Sequence, residues 1–175
     1  WVHIPVSMDV AWGNVVLEVR SGYPWDGKTT ITVRTPSPKD FAVRVRIPNW
    51  CPNLDVEQPD DAPELEHEGG YAVARRVWRD GDTLELNYEM PAQWLASDPR
   101  VTDNNGRVAL QRGPLVYCLE QVDAGAMPQT CDVDPTSEVE LGEPMPVLGG
   151  AVPLTVWGRK PLGPWRDPLY ASAEA

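Results

Sequence analysis

Short runs of alternating apolar and polar residues recur along this chain, and no segment carries a sustained apolar stripe at helical spacing. A strand presents each face every second residue, so such a run buries one side and wets the other. Residues 41–47 are the clearest case. Phe41, Val43, Val45 and Ile47 share the inward face, and Arg44 and Arg46 the outward one. Residues 15–20 turn Val15, Leu17 and Val19 inward, and residues 29–35 do the same with Ile31 and Val33. Residues 71–78 have strand character, and residues 83–90 set Leu84, Leu86, Tyr88 and Met90 against Glu85, Asn87 and Glu89. Turn residues separate these runs: Gly22-Tyr-Pro-Trp-Asp-Gly27, Pro36-Ser-Pro38-Lys-Asp40 and Pro48-Asn-Trp50. Asp80-Gly81 lies between two strand-like runs and predicts a hairpin. If 83–90 neighboured 41–47, Glu85 and Glu89 could face Arg44 and Arg46 as cross-strand ion pairs. Proline, at 19 of 175 residues, is about twice its usual share, which fits many fixed turns and no long helices. The expected fold is all-β, an antiparallel, jelly-roll-like β-sandwich with two packed β units.

The remaining segments are less regular. Residues 1–8 alternate, with Val2, Ile4 and Val6 on one face, and Pro5 suits an edge or first strand. His3 then points outward, as an ordinary surface side chain. Residues 51–70 are acidic and rich in proline and glycine, and predict a loop or weak strands. Residues 91–97 could make a single helical turn at most. In residues 107–120 the apolar positions change parity, from Val108 and Leu110 to Leu115, Tyr117 and Leu119. One sheet face cannot take both sets without a change of register, which Gly113-Pro114 would supply. Two core strands, 107–112 and 115–120, joined by a bend or sheet crossover, are therefore expected. The sequence is then rich in proline, glycine and acids through 146, offers one or two strands in 147–157, and fades into Pro161, Pro164 and Pro168. A soft boundary near 91–106 divides a sandwich domain, 1–106, from a smaller β domain, 107–175.

Several function classes are excluded or disfavoured. The net charge of −11 leaves no basic face for nucleic acid. No apolar run approaches the ~18 residues of a membrane-spanning helix, so no membrane partner is expected. Cys51, Cys118 and Cys131 are an odd count without a CxxC, and read as buried or idle thiols. The first residue is not Met, so the chain is expected to begin mid-protein or after processing, and a cytoplasmic location is the expectation.

Catalytic signatures are wanting. GxSxG, HExxH, the phosphate-binding loop and GxGxxG after a strand do not occur. With only His3 and His67, a histidine triad or metal site is poorly supplied. The carboxylate pairs Asp80/Asp82 and Glu85/Glu89 read as solvated surface, although glycosidase chemistry does require two carboxylates across a sugar. No catalytic and no metal-ligating residue is expected in this chain. Of eight tryptophans, Trp25, Trp50 and Trp78 sit at turns or strand ends. There an indole either plugs the end of a sandwich or offers a sugar a stacking platform, so these three are the carbohydrate-contact candidates.

Four stretches occur in order: Gly22-Tyr-Pro-Trp-Asp-Gly27, Val45-Arg-Ile-Pro-Asn-Trp50, Val77-Trp-Arg-Asp-Gly-Asp82 and Arg107 through Glu120. Together they resemble the region C-terminal to the catalytic barrel in the β-L-arabinofuranosidase-like glycoside hydrolases of family 127. The resemblance covers roughly residues 2–123. It implies an N-terminal (α/α)6 barrel in the parent protein, followed by β-sandwich domains of which 1–106 would be the middle one. The barrel would hold a cysteine nucleophile, a glutamate acid/base and a zinc ion bound by cysteines and a glutamate. None of those motifs is in this sequence, and the three cysteines match no ligand position, so no cofactor is expected here. The family's aromatic C-terminal strand, with its Asn-Arg pair, is not found either. The chain thus resembles the accessory β part of a hydrolase, cut at both ends. The partners implied are the catalytic barrel of the same protein, a homodimer mate and carbohydrate.

Overall fold

Where the sequence alternates, the chain forms strands, and the parity of each strand sets its burial. The computed structural model describes residues 1–59 and 62–160. It divides into two units, residues 1–93 with 110–116, and residues 94–109 with the chain from 117 onward. The proline-rich end around Pro161, Pro164 and Pro168 lies outside the described residues.

The first unit holds β1 (Met8–Trp12), β2 (Val15–Ser21), β3 (Lys28–Arg34), β4 (Lys39–Arg46), β5 (Leu54–Glu57), β6 (Glu66–Glu68), β7 (Tyr71–Trp78) and β8 (Thr83–Tyr88). They form a five-stranded sheet, β1-β2-β3-β8-β5, and a three-stranded sheet, β4-β7-β6. Every strand pair in these two sheets is antiparallel. Val15, Val19, Ile31, Val33, Leu84, Leu86 and Tyr88 of the larger sheet pack in one cluster with Val43, Val45, Ala74 and Trp78 of the smaller. The fold is therefore an all-β sandwich. Each fully buried Val, Leu or Ile contributes a gross ~1.5–3 kcal/mol, and this shared layer holds the sheets together. The inward sets expected in 15–20, 29–35, 41–47 and 83–90 all face it, with Leu17, Phe41 and Ile47 half-buried.

Several local expectations need correction. Asp80-Gly81 does not close a hairpin, because β7 and β8 belong to different sheets. The turn instead carries the chain across the sandwich. Gly81 adopts φ 85°, its N–H donates to Val33 O, and Val33 N–H donates to Asp82 O, so the chain leaves the turn alongside β3. The Asp80 carboxylate accepts the Thr35 N–H at 3.0 Å, fixing the same corner. A dipeptide specifies a tight turn; which strand the exit pairs with is a tertiary matter. Likewise β8 does not neighbour β4, and Arg44 is paired with Glu68 at 3.2 Å. Residues 1–8 do not form a strand. Val2 makes an isolated bridge to Val45, and the first strand is β1, which starts at Met8 and runs to Trp12.

A third sheet takes the order β11-β10-β9, from β9 (Ala92–Ala96), β10 (Val108–Arg112) and β11 (Leu115–Tyr117). Residues 91–97, which could have made a single helical turn at most, hold a strand instead. Gly113, at φ 55°, and Pro114 make the tight turn between adjacent β10 and β11, rather than a bend or crossover. A two-residue connection permits only an antiparallel pair. The stretch is not core, since Leu110 is its only buried large apolar residue while Val116 and Leu119 are exposed.

The second unit is built from shorter pieces. Helical content is one turn, Gln121–Ala124, and three 3-10 turns, among the described residues. Two ribbons of two-residue strands join β12 (Asp132–Val133) to β15 (Gly158–Arg159) and β13 (Glu140–Leu141) to β14 (Leu154–Thr155). Within 147–157, where one or two strands are expected, only β14 forms.

Candidate functional site

Two loops of the first unit meet at one end of its sandwich. The first, between β2 and β3, is wound tightly. Trp25 and Asp26 N–H groups both donate to Gly22 O, and the Asp26 carboxylate accepts the Lys28 N–H at 2.9 Å. Its Tyr23-Pro24 peptide is cis. Gly27 lies against β8, where a Cβ would run into the Tyr88 carbonyl oxygen. This explains a glycine that turn chemistry alone would not demand, since Gly27 has no positive φ.

The second loop follows β4. Cys51 N–H donates to Pro48 O, and the buried Cys51 thiol donates to Asn53 O at 3.0 Å. Trp50 bridges the loops. Its ring stacks on Tyr23, with centroids 6.4 Å apart, and tilts over Tyr88 at 6.1 Å. From the segment 110–116, the Arg112 guanidinium donates to Trp25 O at 2.9 Å. Trp25 and Trp50 are both half-buried, so each keeps surface for solvent or a ligand.

Trp78 is elsewhere. It pairs with Lys39 at the start of β4, whereas Trp50 lies beyond the end of that strand. Its indole is completely buried, donates to Phe41 O at 3.0 Å and stacks on the Phe41 ring at 5.7 Å. A ring so enclosed has no face for a sugar. The three candidates therefore divide between opposite ends of the sandwich, two at the surface and one in the core.

Burial raises the Tyr88 hydroxyl far above its ordinary range, and raises Tyr23 and Cys51 for the same reason. All three hold their protons through neutral pH. This end can offer aromatic surface and hydrogen bonds, but these groups are not tuned as bases.

Of the carboxylates singled out above, Asp80 and Asp82 serve the frame. Asp82 accepts the Arg79 N–H at 2.8 Å and lies 3.5 Å from Arg76, while Asp80 holds Thr35. Glu85 stands opposite Glu57 on β5, exposed. His3 is exposed, with Nδ1 2.9 Å from the Tyr71 hydroxyl. Of the three free thiols, Cys51 is buried, Cys118 exposed and Cys131 intermediate. Among the described residues no three His, Cys, Asp or Glu side chains gather as a metal site. In the second unit a shallow cleft of ≈ 360 Å³ has Ser97, Asn104 and Arg107 as its polar lining.

Sequence reasoning missed two aromatic groups. Trp12 packs edge-on against Phe41 at 5.9 Å, under the Lys39 ammonium at 4.3 Å. Trp1 meets Tyr71 edge-on at 4.9 Å, with the Arg44 guanidinium 5.0 Å over its ring. Lys39 and Phe41 meet Trp12 from the opposite sheet, and Arg44 and Tyr71 meet Trp1 beside the Val2–Val45 bridge, which no local pattern reveals.

Residues 2–90 match the family described as beta-L-arabinofuranosidase, GH127 middle domain. Residues 92–165 match the glycoside hydrolase family 127 C-terminal domain. The non-reducing end beta-L-arabinofuranosidase of Bifidobacterium longum subsp. longum is 40% identical over 118 residues, which are 63% of this chain and 17% of that protein. The crystal structure of a GH127 beta-L-arabinofuranosidase from Geobacillus stearothermophilus T6 superposes with a TM-score of 0.84 at 31% identity, over 97% of this chain and 28% of that one. A further GH127 beta-arabinofuranosidase structure gives a TM-score of 0.76 at 25% identity, over 83% of this chain and 26% of the other. The chain thus spans less than a third of each of these relatives.

Proposed function

The chain belongs to glycoside hydrolase family 127, and from that premise we propose that it is the accessory β region of a β-L-arabinofuranosidase-like hydrolase. Its role is to brace a catalytic barrel in the same polypeptide and to shape the rim of that barrel's site. The parent protein would release arabinofuranose from non-reducing ends. The observation that carries this reading is the position of the match: the family's middle and C-terminal domains, and 28% of a solved enzyme's chain. On this reading, zinc chemistry, where the parent uses it, is the barrel's.

The test compares two polypeptides on an aryl β-L-arabinofuranoside with zinc added. One is the 175-residue chain, and the other is the same chain joined to the reading frame upstream of Trp1. Turnover is expected only from the longer polypeptide. Turnover by the 175-residue chain would overturn the division of labour.

The loop end that carries Trp25 and Trp50 favours a second reading, a carbohydrate-binding surface, since both indoles are half-buried and Trp50 stacks on Tyr23 there. Tryptophan fluorescence titrated with arabino-oligosaccharides separates the two. Saturable quenching that Trp50→Ala abolishes supports binding, and a flat titration supports bracing alone.

A further inference from the structure

The two sheets of the sandwich are unequal, and β1 overhangs the smaller one. By register, Met8 stands opposite Val19, Val10 opposite Leu17 and Trp12 opposite Val15. Residues directly opposite in an antiparallel pair project to the same side of the sheet. Val15 and Val19 are completely buried in the core. Met8, Val10 and Trp12 therefore point to the core side too, yet they are 42%, 42% and 59% exposed. The cause is the strand count: five strands face three, and β1 is the outermost of the five. Phe41 and Lys39, at the start of β4, reach across to Trp12.

An inward stripe of Met, Val and Trp on an edge strand is an unusual thing to leave in water. Its outward neighbours on β1 are Asp9, ion-paired with Arg20 at 2.7 Å, and Ala11. The polar cover of this strand is thus on the face that needs none, and the apolar set is on the face that lacks a partner.

We propose that the Met8–Val10–Trp12 stripe is a docking ledge, covered by an apolar face of the domain that precedes this one in the same polypeptide. This rests on the functional reading above and names the surface that does the bracing. Two observations select that occupant. The matched region beginning at Val2 is the family's middle domain, so its family partner joins just ahead of β1. Val2 is bonded to β4 and lies six positions before Met8, so a domain joined ahead of it is within roughly 20 Å of the stripe along the chain. At that range the local concentration of a tethered domain far exceeds that of any free partner. The Geobacillus relative also keeps the sandwich at a TM-score of 0.84 while 72% of its chain (100 minus 28) lies outside the match.

Hydroxyl-radical footprinting tests this on the polypeptide that includes the upstream reading frame, against the 175-residue chain. Oxidation of Met8 and Trp12 is expected to fall about tenfold in the longer polypeptide, with exposed Met127 and buried Trp78 unchanged as references. Equal oxidation in both polypeptides overturns the ledge. Protection in the 175-residue chain that grows with its concentration assigns the stripe to a second copy and overturns the proposed occupant. Protection that requires added arabino-oligosaccharide overturns it in favour of a sugar. Arabinofuranosidase activity is read separately: an active but unprotected polypeptide refutes the ledge alone, and a protected but inactive one refutes the enzymatic reading alone.

Discussion

The first unit places side chains from two sheets in a single apolar layer, with Trp78, Ile31, Val33 and Leu84 almost wholly enclosed. The second buries one large apolar residue, Val152, among its described residues, and is held by local bonds. Its turns are closed side chain to backbone: the Asp134 carboxylate accepts from Thr136 N–H and hydroxyl, and Thr130 donates to Met127 O. Lys160 adds a longer link, to Ala124 O at 2.8 Å. A layer of facing strands gains free energy from apolar area that no single segment owns. A string of closed turns gains about 1 kcal/mol per bond, and each bond survives or fails nearly alone. The difference teaches that family membership across both units does not imply equal stability.

Core truncation should separate the units most sharply. Trp78→Ala is expected to cost the first unit about 3–5 kcal/mol, read as a shift in urea midpoint. Val152→Ala should cost the second about 1–2 kcal/mol. Equal costs would break the contrast. Amide exchange should sharpen it, with β3, β7 and β8 protected on the order of 100-fold more than β12 to β15. Uniform protection would mean that the chain unfolds as one body.

A smaller effect is confined to alkaline pH. Burial raises Tyr88 above its ordinary 10.0, so the folded state holds a proton that the unfolded chain releases. The stabilisation is complete below pH 10 and declines as pH rises toward the folded value, by up to ~1.4 kcal/mol per pH unit. Tyr88→Phe should flatten this decline, leaving the part owed to Tyr23 and Cys51. At pH 7 it should change stability by under about 1 kcal/mol, since the hydroxyl's bond to Arg46 O is long at 3.4 Å. An unchanged alkaline slope would show that Tyr88 does not carry it. The smallest change is expected of Asp134→Ala, which should speed exchange at Ser137 and Thr136 and leave the sandwich transition where it was.

Alternation in 15–20, 29–35, 41–47 and 83–90 was enough to assign both the strands and their inward faces, because a two-residue period has a single consistent burial. The same reasoning failed at 107–120. There the apolar run is dense, but burial depends on whether another sheet lies opposite, and composition carries no record of that. Asp80-Gly81 failed similarly: the turn forms, and the partner of its exit strand is set by the Val33 backbone. For the site, position at strand ends selected Trp25, Trp50 and Trp78 alike. Packing then enclosed Trp78 under Phe41 and left the other two half open at the far end.

By itself, then, the sequence determined the all-β class, the inward face of the long strands and the family, since each is written in residues close along the chain. Only tertiary structure decided which strands share a sheet, that five oppose three, and that β1 consequently carries its apolar side uncovered. These depend on pairings between residues tens of positions apart, where the free energy comes from shared burial and not from any local preference.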